Sequence, residues 1–122
     1  MQLLLALALL APAQWAVAND ADLKIRLASA PGFAAIEASA KFRNRGGVQT
    51  FEAGVNNAFG LAGMVLTVFV DGKQVGTFTV NRLGVGDLNL TTQLGQMVPQ
   101  IRSGSLVQIT MANGVLVASG KF

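Results

Sequence analysis

Two runs of strict alternation that meet at Gly46-Gly47 constrain this chain more than any other feature. Over Ala34–Arg43, the residues Ile36, Ala38, Ala40 and Phe42 alternate with Glu37, Ser39, Lys41 and Arg43. Over Val48–Asn56, Phe51, Ala53 and Val55 hold every second position. A period of two sends successive side chains to opposite faces of a strand. A glycine pair between two such runs suits a two-residue hairpin turn, in which both central residues take positive φ. That turn sets Phe42 opposite Phe51, Ala40 opposite Ala53 and Ala38 opposite Val55, with Lys41 opposite Glu52 on the other face. One register thus gives an apolar face and a charge-matched face, and a slip of one residue would scramble both.

The rest of the chain repeats the pattern. Ala21–Leu27 alternates Leu23, Ile25 and Leu27 with Asp22, Lys24 and Arg26 until Ser29-Ala30-Pro31-Gly32 breaks the run. Val65–Val70 and Val75–Val80 flank the turn Asp71-Gly72-Lys73-Gln74. There a three-residue loop aligns Leu66 with Phe78, and a four-residue loop aligns Thr67 with Phe78. Asn57–Gly63 connects the first pair of hairpin strands to the second, and its Ala58-Phe59-Gly60-Leu61 is unusually apolar for a loop. Asn81–Gly84 turns the chain into Val85–Thr91, where Leu88 and Leu90 have strand spacing. Thr92–Gly104 reads as a crossover laid against the core through Val98, Pro99 and Ile101. Leu106–Met111 and Val115–Phe122 flank Asn113-Gly114, a strong hairpin signal. A two-residue turn there pairs Met111 with Leu116, Ile109 with Ala118, Thr110 with Val117 and Gln108 with Ser119. The outer face of this hairpin is mixed, so it is either covered on both sides or a contact surface.

No helical period follows residue 18. About eight short strands at spacings of roughly ten residues define an all-β domain. The expected architecture is a single antiparallel β-sandwich, immunoglobulin-like or superoxide-dismutase-like, with a small β-barrel as the alternative. The 122 residues suffice for one domain, placed at 19–122.

Residues 1–18, MQLLLALALLAPAQWAVA, read as a signal peptide. Leu3–Leu10 is its apolar core, and Ala16-Val17-Ala18 supplies the small-x-small site for cleavage before Asn19. The usual basic n-region is not present in Met1-Gln2, which is consistent with a start upstream. The apolar run is shorter than the ~20 residues a spanning helix needs, so the cleaved product is expected not to span a membrane. The expected location is the periplasm, the cell surface or the medium. The chain has no cysteine and no histidine. A disulfide framework, thiolate chemistry and the commonest general base and metal ligand are therefore excluded. An exported chain without disulfides must be stabilised by its core.

The C-terminal half carries a further pattern: VFVDGKQVGTFTV (68–80), then GDLNL, QMVPQIRSGSLVQI and a closing ASGKF. It resembles uncharacterised secreted bacterial all-β domains with Val-x-Val-x-Gly-x-x-Val-Gly-Thr followed by Val-Pro-x-Val/Ile-x-x-Gly-Ser. In layout it is also similar to chordin-type domains and copper–zinc superoxide dismutase sandwiches, whose metal-binding histidines are wholly missing here. The resemblance implies fold and export, and no activity.

The chemical inventory is thin. Among the carboxylates, Asp71 suits a turn that bonds its own backbone. Glu37 and Glu52 share an outer face, where solvation opposes the pKa separation that paired catalytic carboxylates need. Ser119 and Lys121 lie on one side of the last strand without an oxyanion-hole motif. Gly84-Val85-Gly86 precedes a strand and so offers no helix N-terminus to a phosphate. Asp and Asn are too scattered for a calcium loop. The expectation is a protein that is not an enzyme, with no cofactor and no metal. One constellation invites binding: Lys24, Arg26, Lys41, Arg43 and Arg45 all take outward positions, offset by Asp22, Glu37 and Glu52. If the first two strands are neighbours, these five cations form one patch for an anionic lipid or an acidic polysaccharide. Nucleic acid is disfavoured, because residues 19–122 contain no Tyr or Trp for base stacking. The plain alternative is that these side chains keep an exposed sheet soluble. The terminal Phe122 suggests a third class, an outer-membrane barrel, which short strands and charged outward faces oppose. The expected role is an exported structural or interaction module whose partner is another envelope protein or an anionic surface ligand.

Overall fold

The computed structural model describes residues 20–122; the expected leader over 1–18 lies outside the described residues. Eight strands follow in order: β1 (Ala21–Ser29), β2 (Glu37–Arg45), β3 (Val48–Asn56), β4 (Val65–Val70), β5 (Lys73–Thr79), β6 (Gly86–Thr91), β7 (Leu106–Met111) and β8 (Leu116–Lys121). Short 3₁₀ turns at Phe59–Leu61 and Thr92–Leu94 interrupt two connections. The strands form one sheet in the order β5-β4-β7-β8-β1-β2-β3-β6, antiparallel throughout. The two sheets expected of a sandwich are continuous here through β1. Its residues Ala21–Leu27 pair with β2, whereas Ala28 and Ser29 pair with Ser119 and Ala118 of β8.

The result is a nearly closed, barrel-like sheet whose free edges, β5 and β6, meet through side chains. A Cβ added at Gly76 would lie 2.8 Å from the Leu88 methyl groups, and one at Gly86 would lie 2.8 Å from the Phe78 ring.

The interior confirms the alternating pattern. Ile36, Ala38, Ala40, Phe42, Phe51, Ala53 and Val55 are all buried, as are Leu66, Val68, Val107, Ile109 and Val117. Each of the larger aliphatic side chains contributes about 1.5–3 kcal/mol on burial. Leu23 departs from the pattern at 38% exposure, because it stands near the start of β1 at the rim. Val98 and Ile101 pack against the core from the 92–105 connection, as a crossover laid against the core requires. The terminal Phe122 also packs there, and its N–H donates to the Ser105 carbonyl at 3.0 Å.

Each hairpin shows how local chemistry sets register. At Gly46-Gly47 the turn has two residues with φ of 57° and 83°, and all four expected cross-strand pairs form. At Asp71-Gly72 the loop is also two residues long, with φ of 50° and 82°. Leu66 still opposes Phe78, because a bulge at Val75 restores the offset that a three-residue loop would give. The Asp71 carboxylate does not close its own turn. Its Oδ1 accepts from the Leu106 N–H at 2.9 Å, and the Asp71 N–H donates to the Leu106 carbonyl at 2.8 Å.

The third hairpin corrects an expectation. Met111 donates to the Val115 carbonyl, so the loop has three residues, Ala112–Gly114, and only Gly114 takes positive φ (91°). Gln108 opposes Ser119 and Ile109 opposes Ala118 as expected, but Thr110 opposes Leu116. Val117 is the extra residue of a bulge, which lets Val117 and its neighbour Ala118 both be buried. The mixed pattern of this strand arises from that bulge.

The two ends of the barrel-like sheet differ. One end gathers segments 30–36, 57–64, 80–85 and 112–115. The other carries the turns at 46–47 and 71–72 and the 92–105 crossover.

Candidate anion-binding groove

The registers of β1, β2, β3 and β6 arrange the outward side chains in rows across the sheet. Arg26 opposes Ser39, Ser39 opposes Gly54, and Gly54 opposes Asp87. The adjacent row is Lys24, Lys41, Glu52 and Asn89, and the next is Asp22, Arg43, Thr50 and Thr91. β1 and β2 are thus neighbours, and all five predicted cations stand on one face.

The first row has a hollow centre. Ser39 is small and Gly54 has no side chain, so the surface dips between Arg26 and Asp87. Gly54 also cannot carry one here: a Cβ would lie 2.6 Å from the Gly86 carbonyl oxygen and 2.6 Å from the Asp87 Cβ. Longer side chains of the flanking rows wall the dip, including Lys24, Lys41 and Glu52 on one side and Glu37 and Asn56 on the other. The groove so formed has a volume of about 700 Å³ and is open to solvent along its length.

Charge is unevenly distributed along it. At the β6 end, Asp87 Oδ2 accepts from Asn89 Nδ2 at 2.6 Å. In the middle, Lys41 Nζ lies 3.6 Å from Glu52 Oε1, the pair expected from the hairpin register. Farther toward the 46–47 turn, Asp22 Oδ2 takes both Arg45, at 3.1 Å, and Arg43, at 3.4 Å. These pairs are two-fifths or more exposed, and such pairs contribute about 0–1 kcal/mol each. Lys24 and Arg26 are different. Among the described residues neither has a carboxylate within ion-pair distance, and both are exposed. The five cations therefore divide into Arg43 and Arg45, held by Asp22, and Lys24, Arg26 and Lys41 at the groove.

Lys24 stands directly opposite Lys41. Like charges directly opposed on a sheet face are destabilising. The fold tolerates this beside the dip over Ser39 and Gly54.

The other constellations do not assemble. Glu37 opposes Asn56 while Glu52 opposes Lys41, so the two glutamates sit four residues apart along the strands, or about 13 Å at the usual rise. Ser119 faces Gln108 and Ala28, and Lys121 faces Leu106 at the rim. Among the described residues no three His, Cys, Asp or Glu side chains are grouped so as to hold a metal ion. No helix among them is long and apolar enough to cross a membrane. The outward faces of β1–β3 carry Asp22, Lys24, Arg26, Glu37, Lys41 and Glu52, the reverse of the apolar band on a lipid-facing barrel.

Reasoning from sequence singled out the cations but not Ser39, Gly54 or Asp87. The Gly46-Gly47 register alone places Ser39 opposite Gly54, and that adjacency of small residues was the available signal. Comparison of the chain with protein-family models, with curated proteins and with solved structures gives no significant match.

Proposed function

We propose that the protein is an exported, non-enzymatic interaction module of the cell envelope or extracellular space, and that it contacts an anionic surface ligand through the groove on β1–β2–β3–β6. In this reading the frame is a sandwich of two four-stranded layers, β1-β2-β3-β6 and β5-β4-β7-β8, joined where β1 changes partner. The observation that carries the binding site is the opposition of Lys24 and Lys41 beside Arg26, above a floor reduced to Ser39 and Gly54. An anion lying over that floor would relieve the like-charge contact and reach three cations without displacing a bulky side chain. The carboxylates at Glu52 and Asp87 confine it to the β1 side of the groove. Extended acidic polysaccharide fits an open trough better than a compact anion, since nothing closes over the top.

The test is titration of the chain with a polyuronate at low salt, for the natural protein and for a Lys24→Glu/Arg26→Glu double variant. The reading requires saturable binding that the double variant loses and that weakens as salt rises, because exposed charges are screened within ~8 Å at physiological ionic strength. Equal binding by both proteins would remove the groove from consideration.

A further inference from the structure

At one end of the sheet, the segments 30–36, 57–64, 80–85 and 112–115 are nearly without charge. Arg82 is the single charged residue in these four segments, and none contains a carboxylate. The same end collects most of the exposed large apolar side chains of the described chain: Phe59, Met64, Val65, Leu83, Val85 and Val115, against Leu23, Leu94 and Met97 elsewhere. Phe59 is 61% exposed and Leu83 71%, and Phe59 also borders a shallow depression with Phe33, Ile36 and Leu61.

Their position is built. The Ala58 N–H donates to the Gly84 carbonyl at 2.9 Å, and the Gly63 N–H to the Val80 carbonyl at 2.7 Å. Gly84, at φ 75°, lets the two loops touch: a Cβ there would lie 2.8 Å from the backbone nitrogens of Ala58 and Phe59. Asn81 Oδ1 accepts from both the Leu83 and the Val85 N–H groups, at 2.8 and 3.1 Å, which fixes the turn that presents Leu83. Asn57 Nδ2 donates to the Ala35 carbonyl and ties in the 30–36 segment. The loops that carry Phe59 and Leu83 are thus tied together through their backbones, with Arg82 adjacent to Leu83 in the chain.

We propose that this end docks on a lipid bilayer, with Phe59 and Leu83 entering the interfacial region and Arg82 meeting lipid phosphate. Three features favour a bilayer as the occupant. Separate projecting tips enter a fluid interface without needing a matching cavity, whereas a protein partner would have to supply one. The loop segments that carry the tips have no carboxylate to desolvate, the nearest being Glu37 at the head of β2 on the groove face, and burying an unpaired acid would be costly. Its one charge is a cation, which suits the negative surface potential of anionic membranes.

The absence of cysteine allows a clean test on the full chain. Leu83→Cys and, at the opposite end, Lys73→Cys are each labelled with a solvent-sensitive dye and mixed with vesicles of phosphatidylcholine containing phosphatidylglycerol. The expected result is a blue-shifted, brighter emission from the label at 83 and no change from the label at 73. Phe59→Ser in the Leu83→Cys protein should lower the vesicle affinity reported by that label about tenfold, the factor equivalent to ~1.4 kcal/mol, which is near the lower bound for burying such a side chain. Arg82→Glu should reduce the preference for vesicles with phosphatidylglycerol over phosphatidylcholine alone. Four results would overturn the proposal. They are no response at 83, equal responses at 83 and 73, co-sedimentation with vesicles while both labels stay in water, and a vesicle-independent response at 83 that grows with protein concentration. The last would mean that a second copy of the chain covers this end.

Discussion

Lys24 and Lys41 face one another across β1 and β2, yet only Lys41 has a carboxylate, Glu52, within ion-pair distance. The sheet therefore holds a like-charge contact next to the dip over Ser39 and Gly54. Replacing Lys24 with Glu should stabilise the domain by about 0.2–1 kcal/mol, the range for cross-strand charge pairs, while weakening polyuronate binding. Denaturant midpoints and binding isotherms measured on the same preparation check both signs. A variant that loses stability together with binding would mean that Lys24 serves the fold.

Gly54 sets the depth of the groove and also the closeness of β3 and β6. Gly54→Ala should destabilise the domain by about 1–3 kcal/mol, in the range for overpacking, because the added carbon meets backbone at Gly86 rather than a flexible side-chain end. Urea unfolding followed by far-ultraviolet circular dichroism measures it.

The 112–114 turn distinguishes two adjacent substitutions. Gly114→Val should be the more damaging, since φ at Gly114 is 91° and β-branched residues resist that region. Asn113→Val removes the bond from the Val115 N–H to Asn113 Oδ1, at 3.0 Å, and should cost about 0.5–1.5 kcal/mol. Thermal or urea unfolding should rank Gly114→Val below Asn113→Val.

Export has its own check. Cleavage after Ala16-Val17-Ala18 predicts a secreted form beginning at Asn19. Intact mass of the protein recovered outside the cytoplasm decides it, and a mass that retains residues 1–18 would make that segment an anchor.

Much of the fold was legible where one face of a strand is apolar and a turn has a defined length. β2 and β3 are the best case: Gly46-Gly47 and the alternation of Ile36–Phe42 with Phe51–Val55 fix every pair, including Lys41 with Glu52. Legibility failed at bulges. Val75 and Val117 look like ordinary strand residues, and nothing local marks them as the extra residue of a ladder. Asp71 shows a second limit, because its partner Leu106 is distant in the chain and a turn motif reports only near neighbours. The cations of the site were readable from alternation, but their partners were not. Asp22 takes Arg43 and Arg45 through the β1–β2 register, which no hairpin turn sets. The β6 wall needed the β3–β6 pairing, which joins segments separated by an intervening hairpin.

The central claim, that an acidic polymer lies over Ser39 and Gly54, is tested most directly by following backbone amide resonances of the chain during titration with a polyuronate at low salt. The account predicts saturable shifts concentrated at Lys24, Arg26, Ser39, Lys41 and Gly54, with the Asp71-Gly72 tip unmoved. Shifts centred on Arg43 and Arg45, shifts spread evenly over every exposed lysine and arginine, or no shift at all would contradict it.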